Sequence, residues 1–348
     1  MRLSFKFDAP SSSSDELTFN KSTNNNKVFA FGNCLSPKTA DGGEHSATRV
    51  EELNTIPKCA NDNCDKDGIK TCASCMSARY CSTTCQKLHW TNHKLQCKEI
   101  RLFKQPPPNE ECPICCIPLP SLSTGKGYHA CCGMVICNGC HYAGAMGDDC
   151  NQKCPYCRAP VASGQEQLKR IEKRVELNDC QAIYSLACLY YNGQEGYPLD
   201  RAKAYALYLK AGKLGSPRSY SNVAMAYARG DGVPKNEKKA KHYYELAALG
   251  GHAMARYNLG IIAEREGDID KAMKHYVIAA GCGSTDSFKR IQMFGSWKKD
   301  YYEEAVQAHQ AFIKSISSHQ RDEAIKEYGD YTNQDHKTRT IYPDGEER

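Results

Sequence analysis

The sequence YLKAGKLG at residues 208–215 recurs as YELAALGG at 244–251 and as YVIAAGCG at 276–283. A longer segment precedes each copy and recurs in step with it, as AIYSLACLYYNG at 182–193, SYSNVAMAYARG at 219–230 and ARYNLGIIAERE at 255–266. Apolar and small residues in both segments follow the spacing of an amphipathic helix. Two helical segments in a repeating unit of this length are typical of solenoids. The sequence therefore predicts a mainly α protein built around an α-solenoid.

The turns and small residues of the repeat support this architecture. The sequence GDGVP at 230–234 is a strong turn signal, and Ala187, Ala224 and Gly260 occupy corresponding positions where paired helices approach each other. The framework resembles the Sel-1-like repeat, a relative of the tetratricopeptide repeat, over about residues 180–284. A degenerate fourth unit from Phe288 is expected to cap the solenoid. Recurring tyrosines are expected to form interhelical core, namely Tyr205, Tyr208, Tyr243, Tyr244, Tyr257 and Tyr276.

Cysteine is the most informative residue type, because 17 of the 21 cysteines lie between Cys59 and Cys157. Such density indicates either a disulfide scaffold or structural zinc sites. The opening residues MRLSFKF lack the apolar core of a secretory signal, and no apolar run reaches the ~18 residues of a membrane span. We therefore expect an intracellular zinc protein, cytoplasmic or nuclear. A net charge of +6 is not that of a dedicated nucleic-acid binder.

The first cysteine cluster reads C-x4-C-x7-C-x2-C-x5-C-x3-C-x7-H-x3-C between Cys59 and Cys97. Eight such ligands satisfy two tetrahedral zinc ions, and the stretch resembles the MYND zinc finger. The resemblance implies interleaved coordination by two ligand sets: Cys59, Cys64, Cys81 and Cys85 at one ion, and Cys72, Cys75, His93 and Cys97 at the other. The first pair departs from the family, where a spacing of two is more common. His89 is expected to be a packing or supporting group.

The second cluster contains CPIC at 112–115, CCGMVICNGC at 131–140 and CPYC at 154–157. It resembles the RING finger, which implies that Cys112, Cys115, Cys137 and Cys140 bind one ion. Cys154 and Cys157 then bind a second ion. Met134 stands where the family usually has a histidine, so Cys131 and Cys132 are the candidates for the remaining ligands, with His129 as the alternative. About four zinc ions are expected in total.

The resemblance to RING fingers carries a functional expectation. RING ubiquitin ligases hold the charged conjugating enzyme in a reactive geometry, so their catalysis is positional. The family's contact positions correspond to Ile114, Pro155 and Arg158 of this chain. We therefore expect an E3 ubiquitin ligase with protein partners. One alternative is a non-enzymatic scaffold with structural zinc fingers, and another is a transcriptional regulator acting through the MYND module, a class that binds short, often proline-containing peptides.

The predicted organisation follows from these segments. It comprises a disordered tail at 1–56, a MYND-type finger at 57–100, a Pro-rich linker at 101–110, a RING-type finger at 111–160, the repeat domain with a C-terminal capping helix at 175–328, and a flexible tail at 329–348. Six cysteines are left over. In the repeats, Cys180, Cys188 and Cys282 are expected to be buried small hydrophobes, while Cys34, Cys116 and Cys150 have no assigned role.

Overall fold

The computed structural model describes residues 57–104, 106–107, 109–121, 125–145, 153–294 and 299–328. The tails predicted at 1–56 and 329–348 lie outside these residues, as do Cys34 and Cys150. Within the described residues the chain forms twelve helices and four short strands. The prediction of a mainly helical protein is therefore confirmed. None of the described helices combines the length and apolar content that a membrane crossing requires.

The two cysteine-rich modules each contain a short antiparallel strand pair followed by a helix. In the first module, which we call the MYND module (residues 57–104), the elements are β1 (Lys70–Thr71), β2 (Arg79–Tyr80) and α1 (Thr83–Phe103). In the second, which we call the cross-braced module (residues 109–160), they are β3 (Lys126–His129), β4 (Met134–Cys137) and α2 (Asn138–Ala145). Helix α1 continues to Phe103, so the first part of the predicted linker is helical.

The remaining helices follow in chain order. They are α3 (Gly164–Glu176), α4 (Cys180–Asn192), α5 (Arg201–Lys213), α6 (Pro217–Arg229), α7 (Glu237–Leu249), α8 (Ala253–Arg265), α9 (Ile269–Ala280), α10 (Thr285–Phe294), α11 (Lys299–Ile316) and α12 (His319–Tyr328). Helices α4 and α5, α6 and α7, and α8 and α9 pack as consecutive pairs. This arrangement is the predicted α-solenoid.

Local sequence fixes where the repeat helices begin and end. The second helix of each repeat is capped by an acidic or amide side chain, because Asp200, Asn236 and Asp268 accept a hydrogen bond from the backbone N–H three residues on. The first helices of two repeats end at Gly193 and Gly230, whose φ angles are 65° and 83°. This left-handed conformation strongly favours glycine.

The repeat core is built from tyrosines that face small residues. Tyr208 and Tyr244 are buried in one cluster, against which Tyr205 and Tyr243 pack while partly buried. Tyr257 and Tyr276 are buried in a second cluster. A Cβ atom on Gly260 would lie 2.3 Å from the Tyr276 ring. The helix pair α8–α9 therefore depends on the absence of a side chain there.

The last helices divide between two neighbours. Helix α11 packs along α9 and extends the solenoid, whereas α12 turns away and packs on α2 of the cross-braced module. Gly139 of α2 makes this approach possible, because a Cβ atom at that position would lie 2.8 Å from the backbone nitrogen of Arg321. The final helix of the predicted repeat domain is thus attached to a cysteine-rich module.

Candidate metal centres

Three Cys-x-x-Cys loops have the same backbone conformation. The residue after each second cysteine is left-handed, with φ of 62° at Met76, 56° at Cys116 and 61° at Arg158. In each loop the N–H of that residue donates to the carbonyl of the first cysteine, at 2.8, 2.9 and 2.9 Å respectively. Such loops turn both thiols towards one point, which is the arrangement that a tetrahedral metal site needs.

The MYND module contains two four-residue clusters. Cys59, Cys64, Cys81 and Cys85 form one, and Cys72, Cys75, His93 and Cys97 form the other; the ligand atoms within each lie no more than 4.8 Å apart. Helix α1 supplies Cys85, His93 and Cys97, and its N-terminus is fixed by Ser82, whose side chain accepts from the Cys85 N–H at 3.2 Å. Folding of one helix therefore contributes ligands to both clusters.

The spacing of the sulfur atoms fits zinc. With zinc–sulfur bonds of about 2.3 Å, sulfurs at two corners of a tetrahedron lie about 3.8 Å apart. The observed Sγ–Sγ distances are 3.6 Å for Cys64 and Cys81 and 3.8 Å for Cys72 and Cys97. Disulfide sulfurs would be about 2.05 Å apart. These thiols are therefore placed to share a cation and are not bonded to each other.

Hydrogen bonds favour the thiolate form at two cysteines of the MYND module. Burial on its own would raise the pKa of Cys75, but hydrogen bonds from the Ser77 side chain and from neighbouring backbone N–H groups lower that pKa to about 6. Hydrogen bonds from Asn61 and Cys81 likewise lower the pKa of Cys85 to about 6. By contrast, burial raises the pKa of Cys97 to about 12. A divalent cation would offset this cost, because it favours the charged form of every ligand.

The two histidines of α1 are placed differently. The Nε2 atom of His93 lies 3.3 Å from the Cys75 Sγ within the cluster, whereas His89 lies outside it with its Nδ1 3.2 Å from the Tyr80 hydroxyl. His89 also stacks on His93, with ring centroids 5.9 Å apart. His89 thus takes the packing position that the sequence predicts for it.

The cross-braced module repeats the interleaved pattern. Cys112, Cys115, Cys137 and Cys140 form its first cluster, and Cys131, Cys132, Cys154 and Cys157 form its second. The Sγ–Sγ distances are 3.8 Å for Cys115 and Cys137, 3.9 Å for Cys132 and Cys154, and 3.5 Å for Cys131 and Cys157. Adjacent cysteines complete the second cluster, because the β3–β4 turn directs both thiols to one side.

His129 and Met134 do not belong to either cluster. They pair across β3 and β4 at the end of the hairpin, and the His129 ring lies 5.6 Å from that of His141. Burial lowers the pKa of His129, and the neighbouring His141 lowers it further. The fold therefore places Cys131 and Cys132, and not the alternative His129, in the cluster with Cys154 and Cys157.

The three positions that match conjugating-enzyme contacts lie on the first and last cysteine loops of the cross-braced module, which are Cys112–Cys115 and Cys154–Cys157. Ile114 is 42% exposed, and Arg158 is also exposed. Pro155 lies against α2, since a Cβ atom on Gly144 would be 3.0 Å from the Pro155 Cβ. Both loops thus present side chains that metal binding does not use.

Arginines of α3, α8 and α12 bind the backbone of the cysteine-rich modules, and no local sequence pattern indicates this role. Arg321 of α12 donates to the carbonyls of Pro118 and Ile117 at 2.8 and 3.1 Å. Arg174 of α3 donates to the carbonyls of Ala130 and Cys131 at 3.3 and 3.2 Å. Arg256 of α8 donates to a carbonyl near the end of α1. These hydrogen bonds to the backbone fix the orientation of each module relative to the helices that carry the arginines.

Comparison with known families identifies two parts of the chain. The family model of the MYND finger matches residues 59–97, and the family model of the Sel1 repeat matches residues 180–216, 217–252 and 253–284. The chain therefore contains a MYND zinc finger and three Sel1 repeats. Its cysteine and histidine clusters fit about four zinc ions. The resemblance of residues 111–160 to a RING finger stays a prediction.

Similar curated proteins match only part of the chain. It is 29% identical over 111 residues to the ERAD-associated E3 ubiquitin-protein ligase component HRD3B of Arabidopsis thaliana, covering 32% of this chain and 17% of that protein. It is 28% identical over 127 residues to chitin synthase regulatory factor 4 of Schizosaccharomyces pombe, covering 36% of this chain and 20% of the relative. The chain thus spans a fifth or less of these relatives.

A shorter match and a solved structure complete the comparison. The SET domain and MYND-type zinc finger protein 6 of Schizosaccharomyces pombe is 38% identical over 58 residues, covering 16% of this chain and 12% of that protein. A crystal structure of a Sel1 repeat protein from Oxalobacter formigenes aligns at a TM-score of 0.37 and 26% identity, covering 47% of this chain and 64% of that one.

Proposed function

We propose that this zinc-binding protein-interaction chain is a RING-type E3 ubiquitin ligase. In this proposal each of the four clusters holds one zinc ion, and residues 111–160 recruit a ubiquitin-conjugating enzyme. The MYND module and the repeats select the client protein. The observation that carries the proposal is an exposed apolar side chain, Ile114, on the first loop of a cross-braced module whose last loop carries Pro155 and Arg158.

The chemistry required of such a ligase agrees with these residues. The protein forms no bond to ubiquitin; it holds the conjugating enzyme and its thioester in an orientation in which a client lysine attacks. Ile114 would fill an apolar depression on the conjugating enzyme, and Arg158 would contribute a charged hydrogen-bond donor. The metal ions would hold the loops in shape, because a module of ~50 residues has little core of its own.

The attachment of the module to the solenoid supports a positional role. Arg174 and Arg321 bind its backbone from two different helices, and the Tyr128 hydroxyl donates to Asp179 at 2.7 Å. A client bound to the repeats would thus stand in a fixed relation to the conjugating enzyme. The Arabidopsis relative is a component of an ERAD-associated E3 ubiquitin-protein ligase, which agrees with this proposal.

The test is an autoubiquitination assay of the zinc-loaded chain with a panel of conjugating enzymes. Arg158→Asn is a useful variant, since asparagine tolerates the left-handed backbone of this position and the change removes the guanidinium group. We expect Ile114→Ala and Arg158→Asn each to reduce transfer by at least about tenfold with zinc content unchanged by mass spectrometry. Leu177→Ala, at a residue 66% exposed on the solenoid, is the matched control. Unchanged transfer in both variants would contradict the mechanism.

The second candidate is a non-enzymatic scaffold. It is favoured by the packing of α12 beside the first cysteine loop, where Arg321 lies 3.7 Å from the Cys115 Sγ, because such packing gives the module a structural task in the fold. This role would be assigned if the fully metallated protein bound clients in a pull-down but supported no ubiquitin transfer with any conjugating enzyme of the panel. Under either candidate the free cysteines fit the proposed intracellular location.

A further inference from the structure

Helix α1 carries a leucine at every seventh position on the face opposite the metal clusters. Leu88, Leu95 and Leu102 share this face because seven residues make almost two complete helical turns. Leu102 is only 6% exposed, whereas Leu88 and Leu95 are 68% and 79% exposed. The same stripe is therefore covered at one end and open at the other.

The covered end shows what this stripe packs against. Leu102 belongs to the same buried cluster as Tyr244, Ala247 and Ala248 of α7. Lys98, which lies one turn before Leu102 on the same side of the helix, forms an ion pair of 2.8 Å with Glu245 of α7. At this end, then, the leucine stripe meets a helix, and its basic flank meets an acidic residue of that helix.

The open end continues the same pattern. Lys87 and Lys94 are exposed and lie on the same flank of the leucine stripe as Lys98, each one residue before a leucine of the open end. The opposite flank carries Asn92 and, next to the covered end, Glu99. The open stripe therefore has one basic side, and it lies on the same face of α1 as the contact of Leu102 and Lys98 with α7.

We propose that the Leu88–Leu95 stripe of α1 is a docking surface for an amphipathic helix of a partner protein, one with an apolar stripe and an acidic flank. Helix-in-groove recognition uses anchors at this spacing, and the flanking charges select the orientation and the partner. The surface is separate from the loops that carry Ile114 and Arg158, so the proposal does not rest on ubiquitin transfer.

The experiment uses the full zinc-loaded chain and two synthetic peptides of about three heptads. Both carry one leucine seam; one has glutamate on its flanks and the other has lysine. Fluorescence anisotropy at low salt should show the acidic peptide binding at least about tenfold more tightly than the basic one. Added salt should narrow the difference, because exposed charges are screened.

Substitutions connect the binding to the stripe. Leu88→Ser with Leu95→Ser should weaken binding of the acidic peptide by at least about tenfold, whereas Leu177→Ser, at an equally exposed leucine of the solenoid, should leave it unchanged. Lys87→Glu with Lys94→Glu should reverse the preference between the peptides. Circular dichroism and zinc content must match the parent protein in every variant.

Three results would overturn the proposal. They are the absence of acidic-peptide binding, equal affinity for the two peptides, and acidic-peptide binding that survives loss of both leucines. Analytical ultracentrifugation of the chain without peptide tests whether a second copy of the chain occupies the stripe. A dimer that is lost in the Leu88→Ser, Leu95→Ser variant would assign the stripe to a second copy of this chain and would also overturn the proposal.

Discussion

His275 is a fully enclosed titratable side chain in the solenoid. It is 1% exposed, and its ring lies 4.7 Å from that of Phe103 at the end of α1. Burial, followed by the positive charges of Arg256, Lys271 and Lys241, lowers the pKa of His275 to about 3. The native fold therefore holds this imidazole neutral at the junction between the MYND module and the repeats.

This burial predicts a loss of stability in mild acid. Below a pH of about 6.5 the unfolded chain takes up a proton at His275 and the folded chain does not. The free energy of unfolding therefore decreases as the pH is lowered from about 6.5 to about 3. The slope for one group is at most about 1.4 kcal/mol per pH unit. Denaturant unfolding between pH 7.5 and 5.5 in excess zinc measures it.

Variants isolate this contribution from protonation of the cysteines. In His275→Gln the fall in stability towards pH 5.5 should be smaller than in the parent chain. His242→Gln, at an exposed histidine of α7, should retain the parent's dependence. Parallel curves for His275→Gln and the parent chain would show that His275 does not titrate on unfolding.

Arg174 and Arg321 support the cysteine loops through their guanidinium groups. Both lie on helices that follow the cross-braced module; Arg174 donates to the carbonyl of the candidate ligand Cys131, and Arg321 donates to that of Ile117, two residues after Cys115. An arginine can satisfy several carbonyls at once because its donors form a planar fork. These contacts stabilise the shape of the loops without occupying a metal position.

At the scale of elements, α12 is the helix whose position is least expected. It lies against α2, where Arg321 is only 1% exposed and donates to carbonyls of the first cysteine loop and to that of Ile316. The absence of a side chain at Gly139 lets the two helices approach. Helix α12 and the cluster of Cys112, Cys115, Cys137 and Cys140 are therefore expected to depend on each other.

Replacing Arg321 tests this dependence. Arg321→Met leaves buried carbonyls without donors, so we expect the free energy of unfolding to fall by about 2–4 kcal/mol. One of the metal ions should also be released faster to a chromogenic chelator. Lys326→Met, at an exposed position of the same helix, is the control. Release of all the zinc at the parent rate would show that α12 does not support the cluster.

At the scale of the whole molecule, the metal clusters and the solenoid have separate cores. The two largest buried clusters contain repeat residues together with Leu102, and no cysteine of the four metal clusters belongs to either. The cysteine-rich modules have small cores made largely of their own candidate ligands. Their folding is therefore expected to follow the metal, while the repeats fold on apolar burial.

Chelation should reveal this division. Removing zinc with a strong chelator should unfold the modules but leave most of the helical circular dichroism, because α1 and α2 are only 21 and 8 residues long. Restoring zinc under reducing conditions should recover the lost signal. If the whole helical signal disappeared in a single transition, the arginine contacts would be coupling the solenoid to its metal modules as one cooperative unit.

The sequence by itself determined the repeats, because they are written in local spacing, and its resemblance to known zinc fingers predicted how the cysteines group. Helical periodicity and turn residues specify helix pairs such as α6 and α7. Interleaved ligand order, read with the family resemblance, gave the same four groups that the fold brings together, apart from the choice left open at His129.

Only the tertiary structure decided how these parts are joined. Charged residues such as Arg256 and Arg321 occur in amphipathic helices, where a sequence reading places them in solvent, yet they bind carbonyls 154 and 203 residues away. The leucine stripe of α1 shows the same limit, because spacing places three leucines on one face but cannot say that α7 covers only the last. Contacts between distant segments depend on the complementary shapes of surfaces that exist only after each segment has folded.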